Sequence, residues 1–131
     1  MGINSILIDT NFYADIMLGR ESAQKILESY QKLFICPIVI AELFYGFKNG
    51  SKEKENIKQL RDFLELSSVE TLAFTETTAE FFALIIHQLR KSGTPIPTHD
   101  IWIAACAMEH GTTVATNDIH FKKIPNLLTT L

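Results

Sequence analysis

Four carboxylates stand in sequence contexts where a charged side chain is unexpected. Asp9 directly follows the apolar run "ILI", and Asp118 follows the short apolar stretch in "TTVATND". Glu42 lies within "PIVIAELFYGF", and Asp100 opens the apolar segment "DIWIAACAM". Most of the 15 acidic residues lie instead in charge-mixed stretches such as "SKEKENIKQLRDFLE", where exposure to solvent explains them. The four exceptions are therefore the candidates for chemistry.

Each of the four acids also has a purely structural explanation. Asp9 and Asp118 could cap the helical turns that follow them. Asp100 would be favourable in a first helical turn, with Thr98 as the N-cap residue. Glu42 could pair with a lysine or arginine elsewhere, since an unpaired buried carboxylate costs several kcal/mol. Any one of these acids alone is weak evidence for a functional site, because caps are common. Four of them together are stronger evidence.

If the four side chains converge, their mutual repulsion predicts a bound divalent cation. Two carboxylates about 4 Å apart repel by roughly 4 kcal/mol at an effective dielectric constant near 20. Oxygen-only ligation favours Mg²⁺ or Mn²⁺ over zinc, and the four histidines lack the spacing of zinc ligands. A carboxylate site of this kind suits metal-assisted hydrolysis of a phosphodiester.

Short apolar runs alternate with helical patterns along the chain. The predicted strands are Ile3–Ile8, Leu33–Cys36, Val69–Leu72, Thr113–Ala115 and Leu127–Thr129. The predicted helices are Phe12–Tyr30, with a break near Gly19, then Ile38–Lys48, Lys52–Leu66, Thr75–Lys91 and Thr98–His110. Gly50, Gly93 and Gly111 follow helical segments and predict helix C-termini. This alternation predicts a parallel sheet covered on both faces, in which ligands bind beyond the carboxyl ends of the strands.

Length and composition indicate one domain over residues 1–131. The chain is 47% hydrophobic, which argues against disorder. No apolar run approaches the roughly 20 residues that span a bilayer, and the N-terminus does not resemble a signal peptide. Cys36 and Cys106 lie in apolar stretches and are expected to be buried thiols. We therefore predict a cytoplasmic protein with no membrane association.

Four segments together resemble the PIN-domain ribonucleases, specifically the VapC-type toxins of prokaryotic toxin–antitoxin pairs. These segments are "ILIDTNFY", "PIVIAELFYG", "PIPTHDIWIAACA" and "VATNDIHF", in this order and spacing over essentially the whole chain. The resemblance implies a three-layer α/β/α sandwich around a central parallel sheet of about five strands. It also implies an endoribonuclease that depends on Mg²⁺ or Mn²⁺ and is inhibited by a cognate antitoxin.

The resemblance also implies roles for individual residues. The family's acidic quartet matches Asp9, Glu42, Asp100 and Asp118, of which the three aspartates are expected to hold the metal. Glu42 is expected to complete the negative pocket and to orient a water molecule. Thr116 and Asn11 match polar residues that support the site.

Two histidines flank the matched acids. His99 stands where the family more often has Asn, Asp or a small residue. It could contact RNA or assist proton transfer, but a neutral histidine lining the rim is the preferred interpretation. His120 is expected to be structural or peripheral.

The net charge of −3 counts mildly against nucleic-acid binding. This objection weakens when the four site acids are set aside, because the remaining basic residues then slightly outnumber the acids. Candidate RNA contacts are Lys48, Lys52, Arg90 and Lys91, although each is also typical of a solvated surface. With so little basic surface, we expect the substrate to be a structured RNA.

The aromatic content predicts protein partners as well as a core. Most of the nine phenylalanines are expected to pack inside the protein. The family resemblance implies a groove for an antitoxin helix and a surface for a homodimer.

Two alternatives were weighed against the nuclease. A phosphorelay receiver domain would need an acceptor aspartate after the middle strand and a lysine near the last strand. Ala73 follows Val69–Leu72, and "VATND" contains no lysine, so this alternative is rejected. A catalytically inactive PIN scaffold that only binds a partner remains open, although the intact quartet argues against it.

Overall fold

The computed structural model describes residues 4–131, which form a four-stranded parallel sheet flanked by six α-helices. The strands are β1 (Ser5–Ile8), β2 (Lys32–Ile35), β3 (Val69–Thr71) and β4 (Thr113–Ala115). The α-helices are α1 (Thr10–Met17), α2 (Glu21–Glu28), α3 (Pro37–Lys48), α4 (Glu53–Leu64), α5 (Glu76–Lys91) and α6 (Thr98–His110). A 3-10 helix covers Ile119–Lys123.

The order of strands in the sheet is β3-β2-β1-β4. β1 is central and pairs with β2 and β4, with Ile6 opposite both Leu33 and Thr113. Its residues Ile6, Leu7 and Ile8 are fully buried because side chains on both faces of a central strand are covered. An apolar run without alternation is therefore what this position requires.

The connections between strands place helices on both faces of the sheet. The chain moves in one direction from β1 to β2 to β3, and in the opposite direction from β3 to β4. Because such crossovers are right-handed, α1 to α4 lie on one face and α5 and α6 on the other. Aromatic contacts agree with this division: Tyr13 on α1 packs edge-on against Phe63 on α4, and Phe82 on α5 stacks on Trp102 of α6. The predicted α/β fold is confirmed.

The sheet differs from the prediction at its ends. The predicted fifth strand, Leu127–Thr129, contributes only an isolated bridge between Thr129 and Val114, so the sheet has four strands rather than five. Asn126, directly before this segment, has a φ of 65°, which keeps the chain in a turn. Ile3, which the prediction included in the first strand, lies outside the described residues.

The helices agree closely with the sequence patterns. The predicted break near Gly19 separates α1 from α2, and Gly19 has a φ of 69°. Gly93 and Gly111 also have positive φ where helices end, whereas Gly50 does not, so only two of the three predicted glycine C-termini are left-handed. The N-cap of α6 is Pro97, and Thr98 lies inside the helix.

Two further expectations concern the core and the surface. Cys36 and Cys106 are buried and unbridged, as predicted. Within residues 4–131, no helix is both long and apolar enough to cross a bilayer.

Candidate active site

The carboxyl edge of the sheet brings two of the predicted acids to neighbouring strands. Asp9 follows β1 and Asp118 lies three residues beyond β4, and these two strands are paired. The Asp9 amide extends the ladder by donating to the carbonyl of Ala115 at 3.3 Å. The carboxyl ends of parallel strands lie at the same edge of a sheet, so both carboxylates lie at that edge.

Two helices bring the other acids to the same edge. α3 begins at Pro37, directly after β2, and carries Glu42 in its second turn. α6 begins at Thr98, which places Asp100 in the first turn, near the positive end of the helix dipole.

A single pocket is lined by all four predicted acids. Its lining also includes the predicted residues Asn11 and His99, together with Thr10 and Ile103. In the described part of the chain, none of the four acids forms an ion pair with lysine or arginine. The structural explanation of Glu42 as a partner of a lysine or arginine is therefore wrong.

Asp9 combines a capping role with a place in the pocket. Its Oδ1 accepts a hydrogen bond from the Phe12 amide at 2.8 Å and so caps α1. The side chain is buried, and burial raises its pKa above the ordinary value. Hydrogen bonds from Thr116 and Phe12 oppose this shift, whereas the charges of Asp100 and Asp118 add to it. The capping explanation is correct, and it does not exclude the second role.

Asp100 is buried to a similar extent as Asp9, with 4% of the residue exposed. Burial raises its pKa. Electrostatic interaction with His99 lowers the pKa, and the charge of Asp118 raises it. Its Oδ1 lies 3.2 Å from His99 Nε2, and its Oδ2 has no hydrogen-bond partner among residues 4–131. A buried carboxylate oxygen without a donor is costly unless a ligand completes it.

Asp118 is held by its neighbours in sequence. Its amide donates to Thr116 Oγ1 at 2.9 Å, and its Oδ1 accepts from the His120 amide at 2.9 Å, which caps the 3-10 helix. Thr116 is itself buried and receives a hydrogen bond on its carbonyl from Thr130 Oγ1. Thr116 thus contacts the chain around Asp118 and also the side chain of Asp9.

Glu42 is less buried than its apolar helix suggests. Its side chain is 32% exposed, so the carboxylate keeps partial contact with solvent. Glu42 Oε1 accepts a hydrogen bond from Thr10 Oγ1 at 2.8 Å, and Oε2 lies 3.6 Å from His99 Nε2. His99 thus lies between Glu42 and Asp100, at the rim where the sequence placed it.

His120 contacts two of the four acids from outside the pocket lining. Its Nδ1 lies 3.1 Å from Asp118 Oδ1 and 3.5 Å from Asp100 Oδ2, and the expectation that it is structural or peripheral stays a prediction. One ligand atom from each of these three residues lies within 4.8 Å of the others, so the three could contact one ion. Asp9, predicted to be the third ligand, lines the same pocket but is not part of this group of three. Carboxylates with an orphaned buried oxygen fit a divalent cation.

The basic residues predicted to contact RNA lie outside the pocket lining. Lys48 ends α3 and forms an ion pair with Glu53 at 3.2 Å, and Lys52 precedes α4. Arg90 and Lys91 are exposed in the last turn of α5, before the loop that leads to His99.

The chain matches a known protein family over most of its length. Residues 6–127 match the family model described as the PIN domain. The chain belongs to the PIN-domain family. It is 33% identical over 124 residues to Ribonuclease VapC1 of Rickettsia felis, an alignment covering 93% of this chain and 92% of that protein. The predicted family and its ribonuclease class are therefore confirmed.

Solved structures of other PIN proteins agree. VapBC2 of Rickettsia felis, bound to a DNA fragment from its promoter, contains a chain that superposes with a TM-score of 0.84 at 30% identity, covering 95% of this chain and 96% of that one. DNA-bound VapBC of Salmonella typhimurium superposes with a TM-score of 0.85 at 25% identity, covering 97% of each chain.

Proposed function

We propose that this PIN-domain protein is a metal-dependent endoribonuclease toxin, that Asp9, Glu42, Asp100 and Asp118 carry its activity, and that a cognate antitoxin inhibits it. The convergence of four acids in one pocket without a lysine or arginine partner, among the residues described, carries this proposal. Acids that served the fold alone would be paired or spread over the surface.

The ion that suits the pocket is Mg²⁺ or Mn²⁺, held through carboxylate oxygens of Asp9, Asp100 and Asp118. Three features support this choice: the oxygen-rich lining, the raised pKa values of Asp9 and Asp100, and the orphaned Oδ2 of Asp100. When bound, such an ion lowers the pKa of a water molecule and neutralises charge on a phosphate oxygen.

The side chains of the pocket divide the remaining tasks. Glu42, fixed through Oε1 by Thr10, keeps Oε2 for accepting a proton of the attacking water and so orients it. Thr116 fixes Asp118 through its amide, and Asn11 offers an amide at the pocket mouth for a phosphate or ribose oxygen. His99, between Glu42 and Asp100, lines the path by which RNA reaches the acids.

The partners are an antitoxin, a second copy of the chain and RNA. The Rickettsia felis and Salmonella typhimurium relatives were solved as VapBC assemblies, which supports an antitoxin and a dimer here. Tyr45, three residues after Glu42 on α3, is 69% exposed and offers an aromatic contact one helical turn from that acid. A basic antitoxin side chain would be attracted by the field of the four acids. A cytoplasmic location follows from this function and from two unbridged cysteines.

The test is cleavage of RNA by the purified protein with Mg²⁺, followed by sequencing of the RNA ends. Wild type is expected to produce defined ends, and Asp9→Asn and Asp100→Asn to produce none while remaining folded. Asp62→Asn on the exposed surface of α4 is the matched control and is expected to cleave as wild type does. Full activity of a folded Asp100→Asn variant would refute the assignment. Absence of cleavage by wild type would favour the inactive scaffold.

A further inference from the structure

We propose that His120 supplies a nitrogen ligand through Nδ1, together with a carboxylate oxygen each from Asp100 and Asp118, and that this mixed set shifts the cation preference from Mg²⁺ toward Mn²⁺ and other first-row transition ions. The inference rests on the proposed function, because it concerns the cation of the same pocket. It adds a histidine nitrogen to the aspartate oxygens of the proposed ligand set.

The separations of the three residues match ligands of one ion. With metal–ligand distances of about 2.1 Å in an octahedral shell, neighbouring ligand atoms lie about 3 Å apart. His120 Nδ1 lies 3.1 Å from Asp118 Oδ1 and 3.5 Å from Asp100 Oδ2. Both contacts therefore have the length of an edge of such a shell.

The two polar atoms that face each other in this group are buried and lack hydrogen bonds. Asp100 Oδ2 and His120 Nδ1 are both inaccessible to solvent, and neither has a hydrogen-bond partner within residues 4–131. The two atoms lie 3.5 Å apart, too far for a good hydrogen bond between them, and an ion bound there would satisfy both. Asp100 is only 4% exposed, and its Oδ2 faces the His120 ring within this group of three residues.

The backbone fixes His120 in this position. Asp118 Oδ1 accepts from the His120 amide, so the cap of the 3-10 helix holds the histidine beside the carboxylate that it follows by two residues. The ring is 40% exposed although Nδ1 is buried. The exposed part of the ring therefore faces water, while Nδ1 faces the carboxylates of Asp100 and Asp118.

A nitrogen donor changes which ion is preferred. Carboxylates and water suit Mg²⁺ and Mn²⁺ alike, whereas imidazole favours transition ions. Loss of a residue that orients a metal ligand costs about 10–100-fold in affinity, and loss of a direct ligand is expected to cost at least as much. His120→Asn should therefore weaken Mn²⁺ binding about 10–100-fold and Mg²⁺ binding by a smaller factor.

The opposite assignment makes His120 a cationic partner of the two carboxylates. In that case the imidazolium competes with the ion, and its removal would strengthen the binding of Mn²⁺ and Mg²⁺ alike. The two assignments thus predict changes of opposite sign.

The experiment uses Mn²⁺ as the probe with the purified full chain. Binding is measured by the electron paramagnetic resonance signal of free Mn²⁺, Mg²⁺ binding by competition, and nitrogen coordination by ¹⁴N modulation of the bound ion's spin echo. Wild type is expected to show ¹⁴N modulation, and His120→Asn and His120→Leu are expected to lose it. His87→Asn, an exposed histidine on α5, is the matched control and should keep it. His99→Asn should also keep it, which excludes the histidine of the pocket lining.

The outcomes separate this inference from the proposed function. Wild-type Mn²⁺ without ¹⁴N modulation, or tighter Mn²⁺ binding by His120→Asn, overturns the inference and leaves the nuclease intact if Asp100→Asn still abolishes cleavage. Loss of modulation in His99→Asn but not in His120→Asn also overturns it. A wild-type protein that binds neither ion and cuts no RNA overturns both. The wild-type echo needs no variant, so a misfolded substitution does not prevent a decision.

Discussion

Thr10 and Glu42 are joined by a hydrogen bond of 2.8 Å from the threonine Oγ1 to the glutamate Oε1. Thr10 is the first residue of α1 and directly follows Asp9, whereas Glu42 lies on α3. The bond therefore couples two helices and two of the predicted acids. Because the Glu42 side chain is 32% exposed, packing alone does not hold it, and the hydroxyl fixes one rotamer among several. Thr10 is a positioning residue that sequence reasoning missed.

Thr10→Val removes the hydroxyl while keeping the shape of the side chain. The expected result is a fall in kcat of about tenfold, equivalent to about 1.4 kcal/mol, with little change in KM, because Glu42 would orient water less well. Thr10→Ser keeps a hydroxyl and should restore most of the rate. Steady-state RNA cleavage separates kcat from KM, and an unchanged kcat in Thr10→Val would show that Glu42 needs no fixing.

Asp9→Asn is expected to stabilise the protein in EDTA at neutral pH. Burial raises the pKa of Asp9 above 3.8, so the folded protein binds the proton more readily than the unfolded chain does. The stability linked to this group is complete below about pH 3.8 and is lost as pH rises through the folded pKa. Asparagine avoids this loss and can still accept from the Phe12 amide.

Urea unfolding at pH 7 and pH 4, with EDTA or with excess MgCl₂, tests this prediction. The advantage of Asp9→Asn should shrink at pH 4 and should reverse with Mg²⁺, since only wild type then gains free energy from binding. Asp62→Asn, exposed on α4, is the control and should show neither effect. If Asp9→Asn were less stable than wild type in EDTA at pH 7, the carboxylate cap of α1 would contribute more to stability than burial of the Asp9 charge costs.

The fold follows from the sequence wherever a pattern reflects burial directly. β1 is recognisable because a central parallel strand must be apolar on both faces, and the break between α1 and α2 because Gly19 adopts a positive φ. The fifth strand is not predictable in the same way. The sequence pattern of a run such as Leu127–Thr129 is the same whether the run forms a full strand ladder or only the bridge from Thr129 to Val114.

The site residues, too, were predictable only where burial left a mark in the local sequence. Asp9 and Asp100 stand out because a charge inside an apolar stretch is costly, and both are buried in the pocket. The exposure of Glu42 could not be read from α3, because a helix that is apolar all round does not reveal its outer face. Thr10 contacts Glu42 and His120 contacts Asp100, and both of these partners are distant in sequence. The only local signal for His120 was its place two residues after an acid.

Tyr13→Phe removes a hydroxyl that has no hydrogen-bond partner in the described part of the chain. The ring remains packed edge-on against Phe63 at 5.2 Å, so the substitution should be neutral or slightly stabilising at pH 7. Burial raises the pKa of Tyr13 to about 12 from 10.0, so the stability linked to it is complete below about pH 10 and is lost as pH rises toward 12.

Thermal melting from pH 8 to pH 11 tests this prediction. The wild-type melting temperature should fall more steeply above pH 10 than that of Tyr13→Phe. Tyr45→Phe, which alters an exposed ring, is the matched control and should follow wild type. Parallel curves for wild type and Tyr13→Phe would contradict the assigned pKa.

Thr78→Val should destabilise the contact between α5 and α6. The Thr78 hydroxyl is buried, donates to Glu109 Oε1 at 2.5 Å and accepts from the Thr75 amide at 3.0 Å. Valine leaves both partners incomplete, and hydrogen bonds to charged groups contribute about 1.5–3 kcal/mol. Urea unfolding should show a loss of that size, and Thr78→Ser should recover part of it. A loss below about 0.5 kcal/mol, the usual limit for a surface substitution, would show that Glu109 finds other donors.

Arg90 and Lys91 are the most promising of the four basic residues predicted to contact RNA. Both are exposed at the end of α5, and within residues 4–131 neither forms an ion pair, whereas Lys48 already pairs with Glu53. Each phosphate contact that is lost should reduce the slope of log affinity against log salt by about 0.7 for single-stranded RNA. Arg90→Gln and Lys91→Gln should therefore lower both the affinity and the slope, and Lys48→Gln should change them less.

Fluorescence anisotropy over a range of salt concentrations, in the Asp9→Asn background that prevents cleavage, measures these slopes. Arg61→Gln, an exposed arginine on α4, is the matched control and should reproduce the slope of the parent. The control matters because any loss of positive charge weakens long-range attraction slightly, whereas a lost phosphate contact changes the number of released ions. If Arg90→Gln and Arg61→Gln give the same slope, the end of α5 does not touch RNA, and the grip must come from residues nearer the four acids.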